Sequence, residues 1–250
     1  MVEEYGLIGR GISHSFSANF FNKKFAEEEI DASYHLFDLK NIEELPSLIA
    51  SRPALRGLNI TSPYKKTVIK HLDSIHENAA EIGAVNTVLV KNSSEGRIKL
   101  EGYNTDVEGF RKTIKNILPK DSKALILGTG GASDAVAQAL KLENIPYLKV
   151  SRKPEMNEIG YEEMNNLISS YNLIINATPL GMFPRIQESP DIDYDKITSD
   201  HICYDLIYNP KETQFLLKCR NKGAVTINGL CMLINQARLS WEIWQEDNES

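Results

Sequence analysis

The 250-residue sequence lacks the features that mark several large classes of protein. It has no apolar run near the roughly 18 residues that cross a bilayer, and its first residues lack the basic start and apolar stretch of a secretory signal. It also has no basic excess, because 28 Lys and Arg stand against 34 Asp and Glu, giving a net charge of −6. A general nucleic-acid binder usually carries a basic face, so we expect neither a nucleic-acid nor a membrane partner. The cytoplasm is the expected location.

Cysteine is scarce, with only Cys203, Cys219 and Cys231 in the chain. Their spacing matches no metal site and an odd number cannot all pair, so we expect free or buried thiols in a reducing compartment and no bound metal. The remaining composition is that of a globular protein, with 42% hydrophobic and 25% charged residues. This length supports a hydrophobic core in one large domain or in two modest ones.

Short apolar runs typical of β-strands alternate along the chain with stretches at helical spacing. The strand-like runs are 4–9, 33–39, 55–60, 84–90, 98–103, 123–128, 147–151, 172–177, 202–208 and 224–228. The helix-like stretches include 16–29, 41–50, 106–118, 133–142, 212–221 and 230–244. This alternation predicts an α/β fold with mostly parallel sheets covered by helices.

A polar, proline-containing segment at 118–122 predicts a boundary between two α/β domains. We expect residues 1–117 to form the first domain and 118–228 the second. The final helix, 229–246, is expected either to continue the second domain or to pack back on the first. The segment 183–200 is polar and contains two prolines, which predicts a surface loop.

A glycine-rich turn joins the apolar run 123–128 to an alanine-rich helical stretch. It consists of Gly128, Thr129, Gly130, Gly131 and Ala132. In this context such a turn predicts a Rossmann-like domain, in which the backbone approaches a pyrophosphate and the N–H groups of the helix N-terminus bind it. An ordinary glycine turn is the alternative, since Ser133 stands where the usual fingerprint ends in Gly or Ala.

The end of the next strand, Ser151-Arg152-Lys153, indicates which dinucleotide is bound. NAD sites place an acidic residue there, which bonds the ribose 2′-hydroxyl. Here a hydroxyl and two cations suit a 2′-phosphate instead. NADP(H) is therefore favoured over NAD(H), and a solvated basic strand end is the alternative.

Polar side chains follow or end several strands of the first half. They are Ser15, Ser17, Asn59, Thr61, Lys65, Asn86, Thr105 and Asp106. Together they would suit a hydroxylated, anionic small molecule, and a lysine with an aspartate provides groups for proton transfer. Taken singly, Ser15, Ser17, Thr105 and Asp106 are also typical of helix caps, and Lys65 of a solvated surface lysine.

Eight motifs, in order and over nearly the whole chain, resemble the shikimate dehydrogenase family. They are His14-Ser15-x-Ser17, Gly57-Leu-Asn59-Ile-Thr61-x-Pro63-x-Lys65, Gly83-Ala-Val-Asn86-Thr87, Gly102-Tyr-Asn104-Thr105-Asp106-x-x-Gly109, Gly128-x-Gly-Gly-Ala132, Asn176-Ala-Thr178-Pro179-Leu-Gly181-Met182, Asp205-x-x-Tyr208-x-Pro210-x-x-Thr213 and Asn228-Gly229-x-x-Met232-Leu233-x-x-Gln236-Ala237. Each motif alone is weak, but their shared order is specific.

The resemblance implies two α/β domains flanking a cleft, and an oxidoreductase that reversibly reduces 3-dehydroshikimate to shikimate with NADPH in aromatic amino-acid biosynthesis. It implies proton transfer by Lys65 paired with Asp106, in a monomer or homodimer. The implied substrate-binding residues are Ser15, Ser17, Asn59, Thr61, Asn86, Thr105, Tyr208 and Gln236. The implied cofactor-binding residues are Gly128, Thr129, Gly130, Gly131, Ala132, Ser151, Arg152, Lys153, Thr178, Ile207 and Gly229.

Three positions depart from the family pattern and carry expectations of their own. The family usually has proline where Gly11 and Ala18 stand, and losing both is expected to loosen the first loop. Asp134 stands where the family often has a basic residue nearby, and an acid beside a phosphate site is expected to weaken cofactor binding.

Other functions remain open from the sequence. A quinate/shikimate dehydrogenase or a broad-specificity paralogue is the main alternative within the same class. A non-catalytic NADPH-binding sensor and a folate-type NADP dehydrogenase are further alternatives, although the sensor would not need Lys65 and Asp106.

Overall fold

A computed structural model of the chain describes residues 2–13, 15–92 and 97–246. His14, which opens the first of the motifs, lies outside the described residues. The described chain divides into two compact units, one made of residues 2–105 and 237–246 and the other of residues 106–236. Each unit is built on a six-stranded β-sheet.

The first unit has a mixed sheet with three α-helices. Its elements are β1 (Glu3–Gly9), α1 (Phe16–Glu27), β2 (Ala32–Asp38), α2 (Leu45–Ala50), β3 (Leu55–Ile60), β4 (Ser74–Ile75), α3 (Glu77–Ile82), β5 (Thr87–Asn92) and β6 (Ile98–Tyr103). The strand order is β2-β1-β3-β5-β6-β4. Strand β1 runs parallel to both neighbours, whereas β5 runs antiparallel to β3 and β6.

Both faces of this sheet are buried at β1, so this inner strand is apolar on both sides. Successive side chains of a strand point to opposite faces, and Leu7 and Ile8 of β1 accordingly belong to two different apolar clusters. The cluster around Leu7 contains Trp244, whose indole N–H donates to the Val88 carbonyl oxygen at 3.0 Å. A Cβ atom at Gly57 would lie 2.3 Å from the Trp244 indole nitrogen, so glycine is required there.

The second unit has a wholly parallel sheet. Its elements are α4 (Asp106–Ile114), β7 (Ala124–Leu127), α5 (Gly131–Leu142), β8 (Tyr147–Ser151), β9 (Glu158–Gly160), α6 (Tyr161–Leu167), β10 (Leu173–Asn176), β11 (Ile202–Asp205), α7 (Gln214–Asn221), β12 (Val225–Ile227) and α8 (Leu230–Gln245), the last of which enters the first unit at Ala237. The order β9-β8-β7-β10-β11-β12 is the 3-2-1-4-5-6 order of doubly wound dinucleotide folds. Ligands bind such sheets where the strand order reverses, here between β7 and β10.

The α/β class predicted from the sequence is confirmed, with one parallel sheet and one mixed sheet. The division between the units falls before α4, whereas the sequence pattern places a boundary after that helix. Helix α4 packs against α5, and Arg111 pairs with Glu143 at the end of α5, which ties α4 to the second unit.

The segment 183–200 is irregular apart from a 3₁₀ turn at Tyr194–Lys196. Within the described ranges, no helix combines the length and apolarity needed to cross a membrane.

Candidate active site

The loops that follow β1 and β3 lie side by side at the carboxyl edge of the first sheet. The Thr61 N–H donates to the Ile8 carbonyl oxygen at 2.9 Å. A Cβ atom at Gly9 would lie only 2.5 Å from the Thr61 methyl carbon, so the two loops are in close contact. The Lys65 carbonyl oxygen accepts from the Val85 N–H at 2.8 Å, which ties the β3 loop to the residues before β5. Thr61 and Lys65, both half-buried, are thus held at one edge of the sheet.

Ser15 is the N-cap of α1, as the helix-cap interpretation predicts. Its Oγ accepts from the Ser17 N–H at 3.2 Å. A hydroxyl that accepts through a lone pair keeps its own hydrogen for donation, so the cap is compatible with binding an anion. Ser17 itself is buried, and its side chain interacts with the Tyr34 hydroxyl. Burial raises the pKa of Tyr34 well above its usual range despite the opposing effect of Ser17, so Tyr34 stays protonated.

Gly11 has a structural reason for not being the proline that is usual in the family. Its φ of 65° lies in the left-handed region, and proline is restricted to a φ near −65°. Its N–H also donates to both carboxylate oxygens of Asp38 at 3.1 Å, and proline has no N–H. The first loop is therefore fastened to β2 by a contact that a proline could not make.

Asn86 and Thr105 are buried and bonded to each other. The Thr105 N–H donates to Asn86 Oδ1 at 2.7 Å, and Asn86 Nδ2 donates to Thr105 Oγ1 at 3.0 Å. Asn59 is also buried, and its amide bonds to Tyr34, Thr87 and Ser240.

Seven of the predicted residues are thus held in the first unit: Ser15, Ser17, Asn59, Thr61, Lys65, Asn86 and Thr105. Tyr34, Thr87 and Ser240 are partners that the sequence did not predict. They come from separate parts of the chain, and no spacing signals that they meet.

Asp106 and Gln236 belong to the second unit, where α4 and α8 are in contact. Asp106 is buried in the first turn of α4, where the helix dipole favours a negative charge. A Cβ atom at Gly109, one turn later, would lie 3.0 Å from the Gln236 Cβ, which shows how closely α8 approaches α4 here. Residues three apart share one face of a helix, so Asp106 lies on the face of α4 that meets Gln236.

The glycine-rich turn occupies the position where the order of the second sheet reverses. Gly128 has a φ of 107°, and a Cβ atom there would lie 3.1 Å from the Thr178 methyl carbon, which brings the β7 and β10 loops together. Gly130 is the N-cap of α5 and supplies no capping side chain. A Cβ atom at Gly130 or Gly131 would meet nothing within 4 Å, so their backbone faces open space. This is the fit that a pyrophosphate needs.

Two cations stand at the end of β8. Ser151 Oγ accepts from the Lys153 N–H at 3.2 Å and donates to its carbonyl oxygen at 3.1 Å, forming a tight turn with Arg152 and Lys153 exposed. Asp134, in the first turn of α5, pairs with Lys149 at 2.7 Å. The positive charge of Lys149 compensates the negative charge of Asp134. This pairing reduces the repulsion expected between Asp134 and a phosphate.

A buried carboxylate joins the loops after β10 and β11. Asp205 accepts from Asn176 Nδ2 at 3.1 Å, from the Ile207 N–H at 3.0 Å and from Thr213 Oγ1 at 2.5 Å. Asn176 Oδ1 in turn accepts from Thr178 Oγ1 at 2.6 Å. Burial raises the pKa of Asp205 to about 6, although the hydrogen bonds from Thr213, Ile207 and Asn176 oppose the shift. The sequence motifs include Asp205, Asn176 and Thr213, but no role was predicted for them.

Gly229 brings the start of α8 against the loop after β11. Its N–H donates to the Ile207 carbonyl oxygen at 3.1 Å, and a Cβ atom there would lie 2.0 Å from the Leu206 carbonyl oxygen. Tyr208 follows in the same loop and is half-buried. The predicted residues therefore lie on loops of the second unit that contact one another: Thr178 after β10, Ile207 and Tyr208 after β11, and Gly229 before α8.

Among the residues placed by the structure, no group of three or more His, Cys, Asp or Glu side chains could hold a metal.

The chain shares its sequence with proteins of known activity. Residues 7–88 match the family model of the shikimate dehydrogenase substrate binding domain. A shikimate dehydrogenase (NADP(+)) of Clostridium beijerinckii is 39% identical, over 98% of this chain and 93% of that relative. The chain belongs to the shikimate dehydrogenase family. The family predicted from the eight motifs is thereby confirmed.

Solved shikimate dehydrogenases share this fold. The enzyme from Aquifex aeolicus superposes with a TM-score of 0.86 at 35% identity, covering 98% of this chain and 93% of that one. A shikimate 5-dehydrogenase from Thermus thermophilus, in complex with NADP(H) and shikimate, gives a TM-score of 0.85 at 31% identity, covering 98% and 94%.

Proposed function

We propose that the chain catalyses the reversible, NADPH-dependent reduction of 3-dehydroshikimate to shikimate, a step of aromatic amino-acid biosynthesis. The observation that carries this proposal is the match of nearly the whole chain to a shikimate dehydrogenase (NADP(+)). The polar residues held in the first unit and the glycine turn of the second unit support the proposal, because they would suit the two kinds of ligand that the reaction needs.

NADP(H) would be held by loops of the second unit. The glycine turn and the uncapped N-terminus of α5 suit the pyrophosphate, and Ser151, Arg152 and Lys153 suit the 2′-phosphate. Thr178, Ile207 and Gly229 complete the proposed cofactor-binding residues, together with Gly128, Thr129, Gly130, Gly131 and Ala132. When bound, the cofactor supplies the hydride equivalent.

The substrate would be held mainly by hydroxyl and amide groups. We assign its carboxylate to the hydroxyls of Ser15 and Ser17, with Tyr208 nearby. The ring hydroxyls are assigned to Thr61, Asn86 and Gln236, with Asn59 and Thr105 completing the set.

Lys65 is the proposed proton-transfer residue. Its Nζ would donate a proton to the substrate oxygen as the carbonyl becomes a hydroxyl, and would accept that proton in the reverse reaction. Asp106 is the proposed partner that orients the lysine. A monomer or homodimer in the cytoplasm, acting on small molecules without nucleic acid or membrane, completes the proposal.

The test is an assay of the purified protein with shikimate and with quinate, each against NADP⁺ and NAD⁺. We expect reduction of NADP⁺ with shikimate. Lys65→Ala should reduce turnover by about 100-fold or more while NADPH binding remains, because general acid–base catalysis typically contributes that much. Lys66→Ala, at the exposed neighbouring position, is the matched control and should keep its turnover.

Other outcomes would contradict parts of the proposal. Turnover of quinate with NAD⁺ would make the chain a quinate dehydrogenase. Tight NADPH binding without turnover of either substrate would favour a non-catalytic sensor. Unchanged turnover in Lys65→Ala would remove the proposed role of Lys65.

A further inference from the structure

Four consecutive hydrogen bonds connect β2 to Asn86 through the interior of the first unit. Tyr34 OH donates to Asn59 Oδ1 at 2.8 Å, and Asn59 Nδ2 donates to Ser240 Oγ at 2.9 Å. Ser240 Oγ and Thr87 Oγ1 are 2.8 Å apart, and Thr87 Oγ1 donates to Asn86 Oδ1 at 3.2 Å. The members come from four separate segments, and Ser240 lies in the last helix, α8.

Every bond in this chain can run in the same direction. The Tyr34 hydroxyl donates to the amide oxygen of Asn59, so the amide nitrogen of Asn59 faces Ser240. Ser240 accepts from that nitrogen, and its hydroxyl can donate to Thr87. Thr87 then has its hydrogen available for the amide oxygen of Asn86. Thr87 also accepts from Asn59 Nδ2 at 3.3 Å, and Thr105 Oγ1 lies 3.3 Å from the hydroxyls of both Thr87 and Ser240. The path is therefore part of a wider buried network, and its bonds favour one orientation of both amides.

The orientation of Asn86 is the end point of this chain. Its Oδ1 accepts from Thr87 and from the Thr105 N–H, so its Nδ2 is the side of the amide that donates. The side chains of Tyr34, Asn59, Thr87, Ser240 and Asn86 are all buried, with exposed fractions of 5% or less. Water cannot easily replace a missing partner there, so the loss of one hydroxyl leaves a polar group unsatisfied.

We propose that Tyr34 and Ser240 are positioning residues for the substrate, because their hydroxyls orient the Asn86 amide through Asn59 and Thr87. This inference rests on the proposed function, in which Asn86 binds a ring hydroxyl. It assigns a role in substrate recognition to two residues outside the proposed substrate-binding set, one of them in the final helix.

The experiment compares Tyr34→Phe, Ser240→Ala and the double variant in the shikimate assay. Tyr34→Phe keeps the ring that stacks on Phe21, with centroids 4.6 Å apart, and removes only the hydroxyl. Each single variant should raise KM for shikimate about fivefold, the effect of one lost hydrogen bond, and leave KM for NADP⁺ unchanged. The double variant should show little more than one single variant, because both act through the same chain.

Tyr5→Phe is the matched control. Tyr5 lies in the same aromatic cluster as Tyr34, but its hydroxyl donates to Glu3 at 2.9 Å, away from this chain of hydrogen bonds. This variant should keep the wild-type KM for shikimate. Thermal melting of all variants, followed by circular dichroism, reports any general loss of stability.

The outcomes separate this inference from the proposed function. A wild-type protein that does not oxidise shikimate would overturn the proposed function and the inference with it. Wild-type turnover with an unchanged KM for shikimate in Tyr34→Phe and Ser240→Ala would overturn the inference alone. Equal increases in both KM values, or an equal effect in Tyr5→Phe, would also overturn it, because they would indicate a merely structural role.

Discussion

At the scale of single residues, we propose that the Arg152 side chain determines which cofactor is preferred. It is exposed at the end of β8, in the turn that Ser151 closes on Lys153. A guanidinium can bind a phosphate with two parallel hydrogen bonds, whereas the hydroxyl of NADH offers no charge to bind.

Arg152→Ala should therefore weaken the binding of NADPH much more than the binding of NADH. A hydrogen bond between charged groups contributes about 1.5–3 kcal/mol, so we expect KM for NADPH to rise by about tenfold or more. Steady-state kinetics with each cofactor measure the effect. Lys141→Ala, exposed at the end of α5, removes the same charge elsewhere in the unit and should change neither value. An equal loss for NADPH and NADH would contradict the 2′-phosphate assignment.

Single residues also show where sequence reasoning reaches its limit. Arg152 and Lys153 could be interpreted from sequence because they follow a recognisable strand. The contacts of Tyr34 and Ser240 could not, because their partners lie far apart along the chain. Thr87 belongs to a family motif, but no role was predicted for it. Asp205 carried a recognisable signal, since a carboxylate in the middle of the apolar run 202–208 must be buried with partners.

At the scale of elements, Asp205 controls how two loops of the second unit are joined. Its carboxylate accepts from Asn176 in β10, from the backbone after β11 and from Thr213, the N-cap of α7. Because the folded-state pKa is raised to about 6 from the ordinary 3.8, the folded protein binds this proton more tightly than the unfolded chain.

The free energy of unfolding should consequently fall as the pH rises from the ordinary pKa of 3.8 to the folded-state pKa of about 6. The contribution of Asp205 is fully present below about pH 4 and is lost as pH rises through about 6, a difference on the order of 3 kcal/mol. Asp205→Asn should remove this part of the slope, and Asp200→Asn, at an exposed position, should keep it. Urea unfolding between pH 4 and 7 measures the slopes. The same slope in Asp205→Asn and wild type would contradict this assignment.

The elements themselves were largely predictable. All ten apolar runs contain an observed strand, because short apolar runs between turns leave a clear pattern. Strands β4 and β9 hold a single apolar residue each, Ile75 and Ile159, and so leave no such pattern. Helices α3 and α6, of six and seven residues, lie outside the helix-like stretches of the sequence.

At the scale of the whole molecule, the residues of one helix are divided between the two units. Residues Leu230–Gln236 of α8 belong to the second unit, and the helix enters the first unit at Ala237. There Trp244 fills the space above Gly57 and contacts the rings of Tyr5 and Phe21, with centroids 5.0 and 5.3 Å away. The sequence left open whether this helix continues the second domain or packs back on the first, because an apolar helical face does not indicate which surface it contacts.

Trp244→Ala should destabilise the first unit by about 3–5 kcal/mol, the usual cost of removing a buried aromatic side chain. It also leaves the Val88 carbonyl oxygen without its indole donor. Thermal melting followed by circular dichroism provides the measurement. Trp241→Ala in the same helix is the control, and its half-buried ring should cost less. Equal losses of thermal stability in the two variants would contradict the larger stabilising role assigned to Trp244.

The discontinuous first unit has a consequence for synthesis on the ribosome. Residues 2–105 emerge first, but the groove over Gly57 receives Trp244 only after residues 106–236 have been translated. At ordinary elongation rates this delay is on the order of ten seconds. Until then Tyr5 and Phe21 lack their contacts with the Trp244 ring, so one of the two apolar clusters in the unit that is made first is completed last.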